Sequence, residues 1–377
     1  MKILFISTHH GTGASESLWI EAAEYLSSQG HQVSALVNWR NPNPERLRPL
    51  KRHGIEVRYL NLSAQSGNLA SIVRRLVPTG FLEYARTRAA IDRLKPDAVV
   101  FSEGNDISAL PFMEIAIKMG VPFQIVTHGL NPAEWPADNV ADRLRTAFTS
   151  AAHTFWVAMR NIEEFEFHIG TRLPRASIAR NPVKVPRSTP FSWPDSESPL
   201  RLACVARMQA RPKGHDLLLQ ALAHQRWQDR PLHLSFFGEG ENRRGMERLS
   251  KMLNLTGRVH FRDHVESVAD IWCDHHLIAQ PSRNEGMPLS LVEALMFGRP
   301  ALATDVAGHT ELIEDGVNGF IAEAATVRHI DAALERLWTH RHDLPEMARN
   351  AYERIRRDVP PAPVHEFAEQ IIAATMA

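Results

Sequence analysis

Two glutamates bracket a turn in the second half of the chain, with seven residues between them. Glu285 lies in a polar loop that follows an apolar run at 276–279, and Glu293 lies in the apolar stretch after the loop. The loop ends near Pro288, a residue favoured at the first helical position, and apolar residues then recur at helical spacing. The sequence therefore predicts a short buried strand, a loop carrying Glu285 and a helix carrying Glu293.

The start of such a helix is suited to a phosphate. Its first backbone N–H groups have no partner within the helix, and the positive end of the helix dipole lies there. Pro288 has no N–H, so the predicted donors are the other residues around the turn: Gly286, Met287, Leu289 and Ser290. Carboxylates are expected beside an anion when they accept hydrogen bonds from hydroxyls, as an acid does with ribose. The pattern predicts a nucleotide diphosphate flanked by hydroxyl-bearing rings.

The pair of glutamates resembles the E-x7-E signature of retaining glycosyltransferases of the GT-B fold, family 4 (glycosyl transferases group 1). The similarity extends over 284–295 and into 298–304. It implies that Glu285 is catalytic, contacting the transferred sugar and stabilising positive charge at its anomeric carbon. It also implies that Glu293 binds the ribose hydroxyls. A solvated helix face with the same spacing is the alternative interpretation.

Two basic residues follow the first predicted strand of the second half. Arg207 leaves that strand, and Lys213 stands immediately before Gly214 at the start of the next helix. Cations at such a junction neutralise the charge that grows on a diphosphate leaving group. The family's Arg and Lys-Gly pair occupies this place, which implies that Arg207 and Lys213 bind the donor. The spacing is one residue longer than is common, so a role for Arg211 stays open, and surface ion pairs are the alternative.

Two weaker matches to the family lie between these motifs. The turn Gly238-Glu239-Gly240 resembles one that faces the donor cleft. Residues 262–264 follow a strand where the family holds the nucleobase, largely through backbone contacts. Side-chain identity at 262–264 therefore does not predict which base is bound.

The first half begins with a βαβ pattern whose first turn contains Gly11 and Gly13. The complete dinucleotide fingerprint GxGxxG is absent from this turn. The resemblance to family 4 assigns Gly13 to the donor site, and a requirement for tight turning alone is the alternative. His128 ends another predicted strand in a polar turn, where α/β proteins place functional groups. By the same resemblance, His128 is a catalytic candidate that contacts the donor sugar.

The chain has 377 residues, enough for two domains. Apolar strands alternate with helical patterns in both halves, which predicts an α/β architecture with parallel sheets. The resemblance implies two Rossmann-like doubly wound domains of GT-B type that face each other across a cleft. The predicted limits are an N-terminal acceptor-side domain over 1–184, a C-terminal donor-binding domain over 185–358 entered through a Pro/Ser-rich linker, and a final helix within 359–377 that crosses back to the first domain.

The pattern predicts individual elements as well. Predicted strands are 3–6, 33–37, 57–60, 98–101, 123–126 and 155–158 in the first half, and 202–207, 233–237, 259–261, 277–279 and 301–304 in the second. Predicted helices include 69–77, 81–94, 107–119, 214–225, 242–253, 289–297 and 326–340. Cys204 and Cys273 lie in or beside apolar segments and are predicted to be reduced core thiols.

The chain carries a formal net charge of +0, which gives no sign of nucleic-acid binding. Residues 1–184 nevertheless hold 21 Lys/Arg against 17 Asp/Glu. Basic and apolar residues alternate over 72–95, so this surface is a candidate for docking on anionic lipid, with a pair of solvated amphipathic helices as the alternative. No apolar run approaches the ~18 residues of a membrane span, and the first residues do not form a signal peptide. The prediction is a cytoplasmic protein, with peripheral contact to the inner face of the membrane as a further hypothesis.

These patterns and the family resemblance predict a retaining, metal-independent hexosyltransferase. The donor is a nucleotide-diphosphate sugar, UDP being favoured over GDP, and the acceptor is a saccharide or lipid-linked saccharide in bacterial cell-surface polysaccharide or lipopolysaccharide synthesis. No cofactor is expected, and the sequence contains no Asp-x-Asp, the metal-holding device of GT-A enzymes. The alternatives are a GT-B nucleotide-sugar epimerase and a non-catalytic nucleotide- or glycan-binding relative. A Rossmann dehydrogenase has less support, because the phosphate motifs lie in the second half.

Overall fold

The computed structural model of the protein describes residues 1–8, 15–38, 44–60, 81–104, 107–189, 193–194, 199–263 and 265–377. The chain divides into two compact units. Unit 1 comprises Met1–Pro182 and Ala362–Ala377, and unit 2 comprises Val183–Pro361. Each unit contains one parallel sheet with helices packed against it.

Within the described part of unit 1, seven strands form a parallel sheet in the order β3-β2-β1-β4-β5-β6-β7. These strands are β1 (Lys2–Ser7), β2 (Gln32–Val37), β3 (Glu56–Tyr59), β4 (Ala98–Glu103), β5 (Phe123–Thr127), β6 (His153–Trp156) and β7 (Ala176–Ile178). The helices are α1 (Ser15–Ser28), α2 (Pro44–Arg52), α3 (Phe81–Leu94), α4 (Leu110–Met119), α5 (Asp138–Ser150) and α6 (Met159–Ile169).

The apolar run at the start of the chain supplies both faces of this sheet. Along β1, Ile3 and Phe5 enter one core cluster, and Leu4 and Ile6 enter the cluster on the other side. This alternation follows from the two-residue period of a strand. Because helices cover both faces, a parallel strand of this kind has no polar side, and its central residues 3–6 are all apolar.

In the described residues of unit 2, six strands form a parallel sheet in the order β10-β9-β8-β11-β12-β13. These strands are β8 (Leu200–Val205), β9 (Leu232–Phe237), β10 (Val259–Arg262), β11 (Leu277–Gln280), β12 (Ala301–Thr304) and β13 (Gly319–Ala322). The helices are α7 (Ala210–Lys213), α8 (His215–Leu222), α9 (Arg243–Met252), α10 (Val268–Trp272), α11 (Leu289–Met296), α12 (His309–Leu312), α13 (Val327–Thr339) and α14 (Leu344–Asp358).

The strand order of unit 2 indicates where in the sheet a ligand site is expected. The chain runs outwards from β8 through β9 to β10 and then returns to β11, which pairs with β8 on its other side. Loops that leave the carboxyl ends of two such strands diverge, and open α/β sheets bind their ligands in the crevice between them. The loops after β8 and β11 carry Lys213 and Glu285, respectively.

The last helix of the chain, α15 (Pro363–Met376), packs in unit 1 rather than unit 2. Phe367 and Ile371 of α15 are buried in the core cluster that also contains α1 residues. Gln124 on β5 donates from Nε2 to the carbonyl oxygen of Ile371 at 2.9 Å and to Oγ1 of Thr375 at 2.9 Å. These contacts attach α15 to the middle of the first sheet.

Every strand predicted from the sequence is present, with ends that differ by one or two residues. Strands β7 and β13 and helices α2, α5, α7, α10, α12 and α14 were missed by the sequence prediction, and the helix predicted over 69–77 lies outside the described residues. Among the residues that the structure describes, no helix has both the length and the hydrophobicity needed to cross a bilayer.

Pro288 is the N-cap of α11, with φ −72° and ψ 117°, and the helix begins at Leu289, as in the predicted range 289–297. The prediction for one of the two cysteines is wrong. Cys204 is buried in β8, but Cys273 is exposed because it caps the end of α10 and its side chain leaves the core at that turn.

Candidate active site

The start of α11 has the backbone donors that an anion site requires. Around this helix start, the backbone N–H groups of four residues donate to no acceptor among the described residues: Gly286, Met287, Leu289 and Ser290. The N–H groups of Leu291 and Val292 bond to the carbonyl oxygen of Pro288 at 3.1 and 3.3 Å, so they belong to the helix. The free donors are therefore those of the loop and the first turn, where the positive end of the helix dipole lies.

Glu285 and Lys213 form a buried ion pair. Lys213 Nζ donates to Oε1 and Oε2 of Glu285 at 2.7 and 2.8 Å, and Ser282 Oγ donates to Oε1 at 2.8 Å. The side chain of Glu285 is 7% exposed and that of Lys213 is 20% exposed. Burial alone raises the pKa of Glu285, but Lys213, His309 and the hydrogen bonds outweigh it and hold the pKa below its usual value. The carboxylate is therefore charged at neutral pH.

Gly214 allows the two loops that carry Lys213 and Glu285 to approach each other closely. Gly214 ends α7 with φ +66°, and a Cβ at this position would lie 1.9 Å from the carbonyl oxygen of Pro281. The loop after β8 thus presses its backbone against the loop after β11, and only glycine fits. Arg283 N also donates to the carbonyl oxygen of Pro212 at 2.8 Å. The two loops that carry Lys213 and Glu285 are held together by their main chains.

Arg283 and Asp216 brace the same junction with side chains. Arg283 donates from Nη1 and Nη2 to the two carboxylate oxygens of Asp216 at 2.8 and 2.7 Å, and from Nη1 to the carbonyl oxygen of Ala210 at 3.0 Å. Sequence reasoning missed both residues. The available signal was position alone, since Arg283 lies two residues before Glu285 and Asp216 lies three after Lys213.

A third loop, after β12, supports the turn that carries Glu285. Gly308 N donates to the carbonyl oxygen of Gly286 at 3.0 Å, and Thr304 Oγ1 donates to that of Ser282 at 2.5 Å. A Cβ on Gly308 would lie 2.7 Å from Cε of Met287. Sequence reasoning predicted strand 301–304 but assigned nothing to the residues after it, where His309 also lies.

The carboxylate of Glu293 differs from that of Glu285 in having no hydrogen-bond or ion-pair partner among the described residues. Glu293 lies half-buried on α11, and its main-chain oxygen accepts from Phe297 N at 3.2 Å within the helix. Burial raises the pKa of Glu293 to about 7, with Lys184 opposing the shift. A carboxylate that is desolvated and unbonded is suited to accept hydrogen bonds from ligand hydroxyls.

Arg207 follows β8 and is exposed, and its side chain contacts no acid among the described residues. The turn Gly238-Glu239-Gly240 lies against it: a Cβ on Gly238, which has φ +134°, would approach the carbonyl oxygen of Ala206 to 2.3 Å. Met208 N donates to the carbonyl oxygen of Glu239 at 2.8 Å. The turn after β9 is thus also held against the loop after β8 by close backbone contact.

A polar cavity of about 480 Å³ opens beside this turn. Its lining residues are Glu239, Gly240, Glu241, Arg243, Arg244 and Asp263. Arg243 pairs with Asp263 at 2.8 Å. Arg262 and Asp263, from the segment predicted to hold a nucleobase, lie at the end of β10, whereas His264 lies outside the described residues.

Unit 1 has its own polar groups at the carboxyl ends of its strands. His128 follows β5 and is 6% exposed. Glu103, at the end of β4, is buried and accepts hydrogen bonds from Thr127 Oγ1 at 3.3 Å and from Ala109 N at 3.2 Å. A second buried acid, Glu16, accepts from Ser7 and Trp19 at 2.9–3.1 Å. Gly11 and Gly13, the predicted glycine turn, lie outside the described residues.

The basic surface of unit 1 is partly neutralised. Arg93 pairs with Glu56 at 3.0 Å, and Arg58 contacts the same carboxylate. Arg86 donates to the carbonyl oxygens of Tyr59 and Leu60 at 3.1 and 3.0 Å. The basic residues at 74 and 75 lie outside the described residues, so the structure leaves the lipid-docking hypothesis as a prediction.

Comparison with known proteins gives the class. Residues 199–340 match the family described as glycosyl transferases group 1, and residues 16–184 match the glycosyl transferase 4-like domain. The two parallel-sheet α/β units have the fold of the GT-B glycosyltransferases. The chain belongs to the GT-B glycosyltransferases of the family 4 type.

The similarity to individual proteins is distant. A D-inositol 3-phosphate glycosyltransferase of Gordonia bronchialis is 30% identical over 151 residues, 37% of this chain and 33% of that protein. The match thus spans about a third of the length of the curated relatives. HepE of Anabaena, solved in complex with UDP, covers 99% of this chain and 100% of its own with TM-score 0.76 and 17% identity. The apo lipopolysaccharide outer core galactosyltransferase WaaB covers 99% of each chain with TM-score 0.73 and 19% identity.

Proposed function

We propose that the protein transfers a hexosyl unit from a nucleotide-diphosphate sugar, with retention of anomeric configuration. The observation that carries the proposal is the convergence at one strand switch of unit 2. Lys213 and Glu285 meet there in a buried pair, at the start of a helix whose first N–H groups lack acceptors in the described chain. Such a place binds an anion beside a carboxylate, which is what a diphosphate sugar presents.

In this proposal each part of the site contacts one part of the donor. The N–H groups of 286–290, with Arg207 and Lys213, bind the diphosphate and neutralise the charge it gains as it leaves. Glu293 accepts hydrogen bonds from the ribose hydroxyls. Glu285 contacts the sugar hydroxyls and stabilises positive charge at the anomeric carbon.

The reaction then breaks the bond between the anomeric carbon and the phosphate oxygen, and its electron pair goes to the diphosphate. A hydroxyl oxygen of the acceptor bonds to the same face of the anomeric carbon, and its proton passes to the departing phosphate. Family resemblance favours this front-face route, with His128 of unit 1 as the residue that contacts the donor sugar. No second carboxylate is assigned as a nucleophile, unlike in retaining glycosidases.

The proposed identities of the donor base and of the acceptor are inferred from the names of related proteins. HepE has been solved with UDP-glucose, and a relative from Staphylococcus aureus is named as a poly(ribitol-phosphate) α-N-acetylglucosaminyltransferase. These names support a UDP-sugar and a saccharide or lipid-linked saccharide of the bacterial cell surface. We extend the proposal to metal-independent turnover and to peripheral contact with anionic membrane through unit 1.

The test begins with thermal shift in the presence of UDP- and GDP-sugars, because a ligand of the folded state raises the melting temperature. Glu285→Gln is expected to keep nucleotide binding and to reduce transfer by roughly a hundred- to a thousandfold. If neither nucleotide raises the melting temperature, the proposal is wrong. Conversion of the donor sugar without any acceptor would instead identify an epimerase. Inhibition by EDTA would overturn metal independence. Failure to float with either acidic or neutral vesicles would overturn the membrane contact.

A further inference from the structure

Lys213 and Glu285 neutralise each other in a buried position before any ligand binds. A nucleotide diphosphate at the start of α11 would add negative charge beside this pair. Lys213 is also the proposed phosphate ligand, so binding draws part of its positive charge away from Glu285. A buried carboxylate that loses its cation is strongly destabilised unless positive charge or a proton replaces it.

His309 is a buried histidine placed to supply that charge. Its Nδ1 lies 2.8 Å from the carbonyl oxygen of Thr304. A carbonyl only accepts, so Nδ1 carries the proton in the neutral ring and Nε2 presents an unprotonated lone pair. Nε2 has no hydrogen-bond partner among the described residues, and the side chain is 0% exposed. The backbone next to His309 is fixed to the loop of Glu285 by the bond from Gly308 N to Gly286 O.

Charged groups from three segments face this ring: Glu285 after β11, Lys213 on α7 and Asp305 after β12. Burial lowers the pKa of His309, whereas Glu285 and Asp305 act in the opposite direction, and the net pKa lies below its usual value. The ring is therefore neutral at pH 7 without ligand. Added negative charge, or movement of Lys213 towards a phosphate, favours the protonated form.

Two other groups compete for a proton. His215, at the start of α8, is also 0% exposed, but burial lowers its pKa to about 4, which keeps it neutral near pH 7. Glu293 has a pKa of about 7 and is the more serious competitor. Its carboxylate accepts from no described residue, so ligand hydroxyls bonding to that carboxylate would favour the charged form and release a proton rather than take one up.

We propose that His309 takes up a proton at Nε2 when the nucleotide diphosphate binds, and so balances the charge of Glu285 while Lys213 engages the phosphate. This inference rests on the proposed function. It makes His309 a positioning residue that acts through Glu285, and it ties donor affinity to pH through a residue outside the E-x7-E segment.

Calorimetry measures the proton directly. UDP is titrated into the full chain at pH 7 in two buffers of different ionisation enthalpy, and the difference in heat gives the protons taken up. We expect the wild type to take up roughly half a proton or more. His309→Asn keeps an N–H donor near the position of Nδ1 but lacks Nε2, so uptake should disappear or turn into the net release expected from Glu293, while binding persists about three- to tenfold weaker. Glu293→Gln is the comparison variant: titrated at higher UDP concentration, because Glu293 belongs to the proposed site, it should show uptake at least as large as that of the wild type.

The outcomes separate the two proposals. Absence of UDP and GDP binding to the wild type overturns both. Binding without proton uptake, or uptake that survives in His309→Asn and disappears in Glu293→Gln, overturns only the role of His309. If His309→Asn and a second variant, His309→Gln, fail to fold by circular dichroism, the ¹⁵N resonances of the wild-type ring decide. Nε2 should change from an unprotonated to a protonated shift on adding UDP, and an unchanged shift refutes the inference.

Discussion

At the carboxyl edge of the unit 2 sheet, four loops touch through their main chains, those after β8, β9, β11 and β12. Gly214 packs on Pro281, Gly308 bonds to Gly286, and the turn at Gly238 packs on the end of β8. At the same edge of unit 1, main-chain bonds among the described residues continue the sheet, as from Thr8 N to the carbonyl oxygen of Ser102 at 3.0 Å, and side chains make further contacts. Buried Glu16 and Glu103 accept hydrogen bonds from hydroxyl, indole and backbone donors.

The difference concerns what each edge tolerates. A surface made of touching backbones has one shape, because an added Cβ meets a main-chain atom that cannot move aside. An edge lined by side chains can change by substitution, with losses limited to a few hydrogen bonds. This contrast agrees with the proposed division of labour, in which unit 2 binds the common nucleotide diphosphate and unit 1 faces a variable acceptor.

The largest effect is expected for Gly214→Ala. Its Cβ would lie 1.9 Å from the carbonyl oxygen of Pro281, and φ is +66°. We expect a loss of more than about 3 kcal/mol in the unfolding free energy and loss of nucleotide binding. Gly170→Ala is the matched control, because φ is +61° but no atom lies within 4 Å of its Cβ. It should cost only about 1 kcal/mol. Equal losses in denaturant titrations of the two variants would show that the close approach is unimportant.

Lys213→Met is expected to have the next largest effect. It leaves Glu285 buried without its cation, which should lower the unfolding free energy by about 3 kcal/mol. Arg207→Met is the control, because Arg207 is exposed and pairs with no described acid, so stability should change by less than about 0.5 kcal/mol. Both variants should bind UDP more weakly by thermal shift. Adding Glu285→Gln to Lys213→Met should recover part of the lost stability, and a further additive loss would contradict the buried-pair argument.

The fold class and the strand, loop and helix around Glu285 could be predicted from the sequence. Continuous apolar runs separated by helical patterns identify parallel strands, and the Glu285-to-Glu293 segment is one local strand, loop and helix. The short edge strands β7 and β13 escaped because strands of three and four residues carry too little periodic signal. Helix α14 was missed although its apolar residues line one face, because charged residues occupy most of its remaining positions.

Contacts between loops could not be read from the sequence. The Lys213–Glu285 pair joins residues 72 positions apart, and the braces Arg283–Asp216 and Gly308–Gly286 depend on the order β8-β11-β12 in the sheet. The roles assigned to Lys213 and Glu285 stay predictions, although the structure brings the two side chains together. His309 lies in no recognisable sequence motif, and its proposed role depends only on its burial beside Glu285 in the folded protein.

The two glutamates of the signature should respond to pH in opposite directions. Burial raises the pKa of Glu293 from 4.5 to about 7, so the folded state holds a proton that the unfolded state has released in this window. Stability from Glu293 is therefore highest at low pH and falls by about 2 kcal/mol as pH rises from 4.5 to 7. For Glu285 the net shift is downward, and its contribution is lost as pH falls.

Denaturant unfolding of wild type and Glu293→Gln from pH 4.5 to 7 tests this sign. The variant has no carboxylate to titrate at this position, so its stability should rise relative to wild type as pH increases. A constant difference between the two proteins would mean that Glu293 titrates alike in the folded and unfolded states. Glu285→Gln should show the opposite trend at the acidic end of the range.

The smallest expected effect tests the side-chain edge of unit 1. Thr127→Val keeps the volume of a buried residue but removes the hydroxyl that donates to Glu103 at 3.3 Å. Glu103 retains the bond from Ala109 N, so the loss should be about 1 kcal/mol. Thr87→Val is the control, because the buried hydroxyl of Thr87 donates at 2.9 Å to a neutral carbonyl, that of Glu83 one helical turn earlier, and its removal should cost less. A loss at Thr127 as large as that of Gly214→Ala, by thermal unfolding, would mean that the two edges are equally rigid. We expect Thr127→Val in unit 1 to lower the unfolding free energy by about a third as much as Gly214→Ala in unit 2. That result would show that the edge of the proposed nucleotide site is the more rigid of the two.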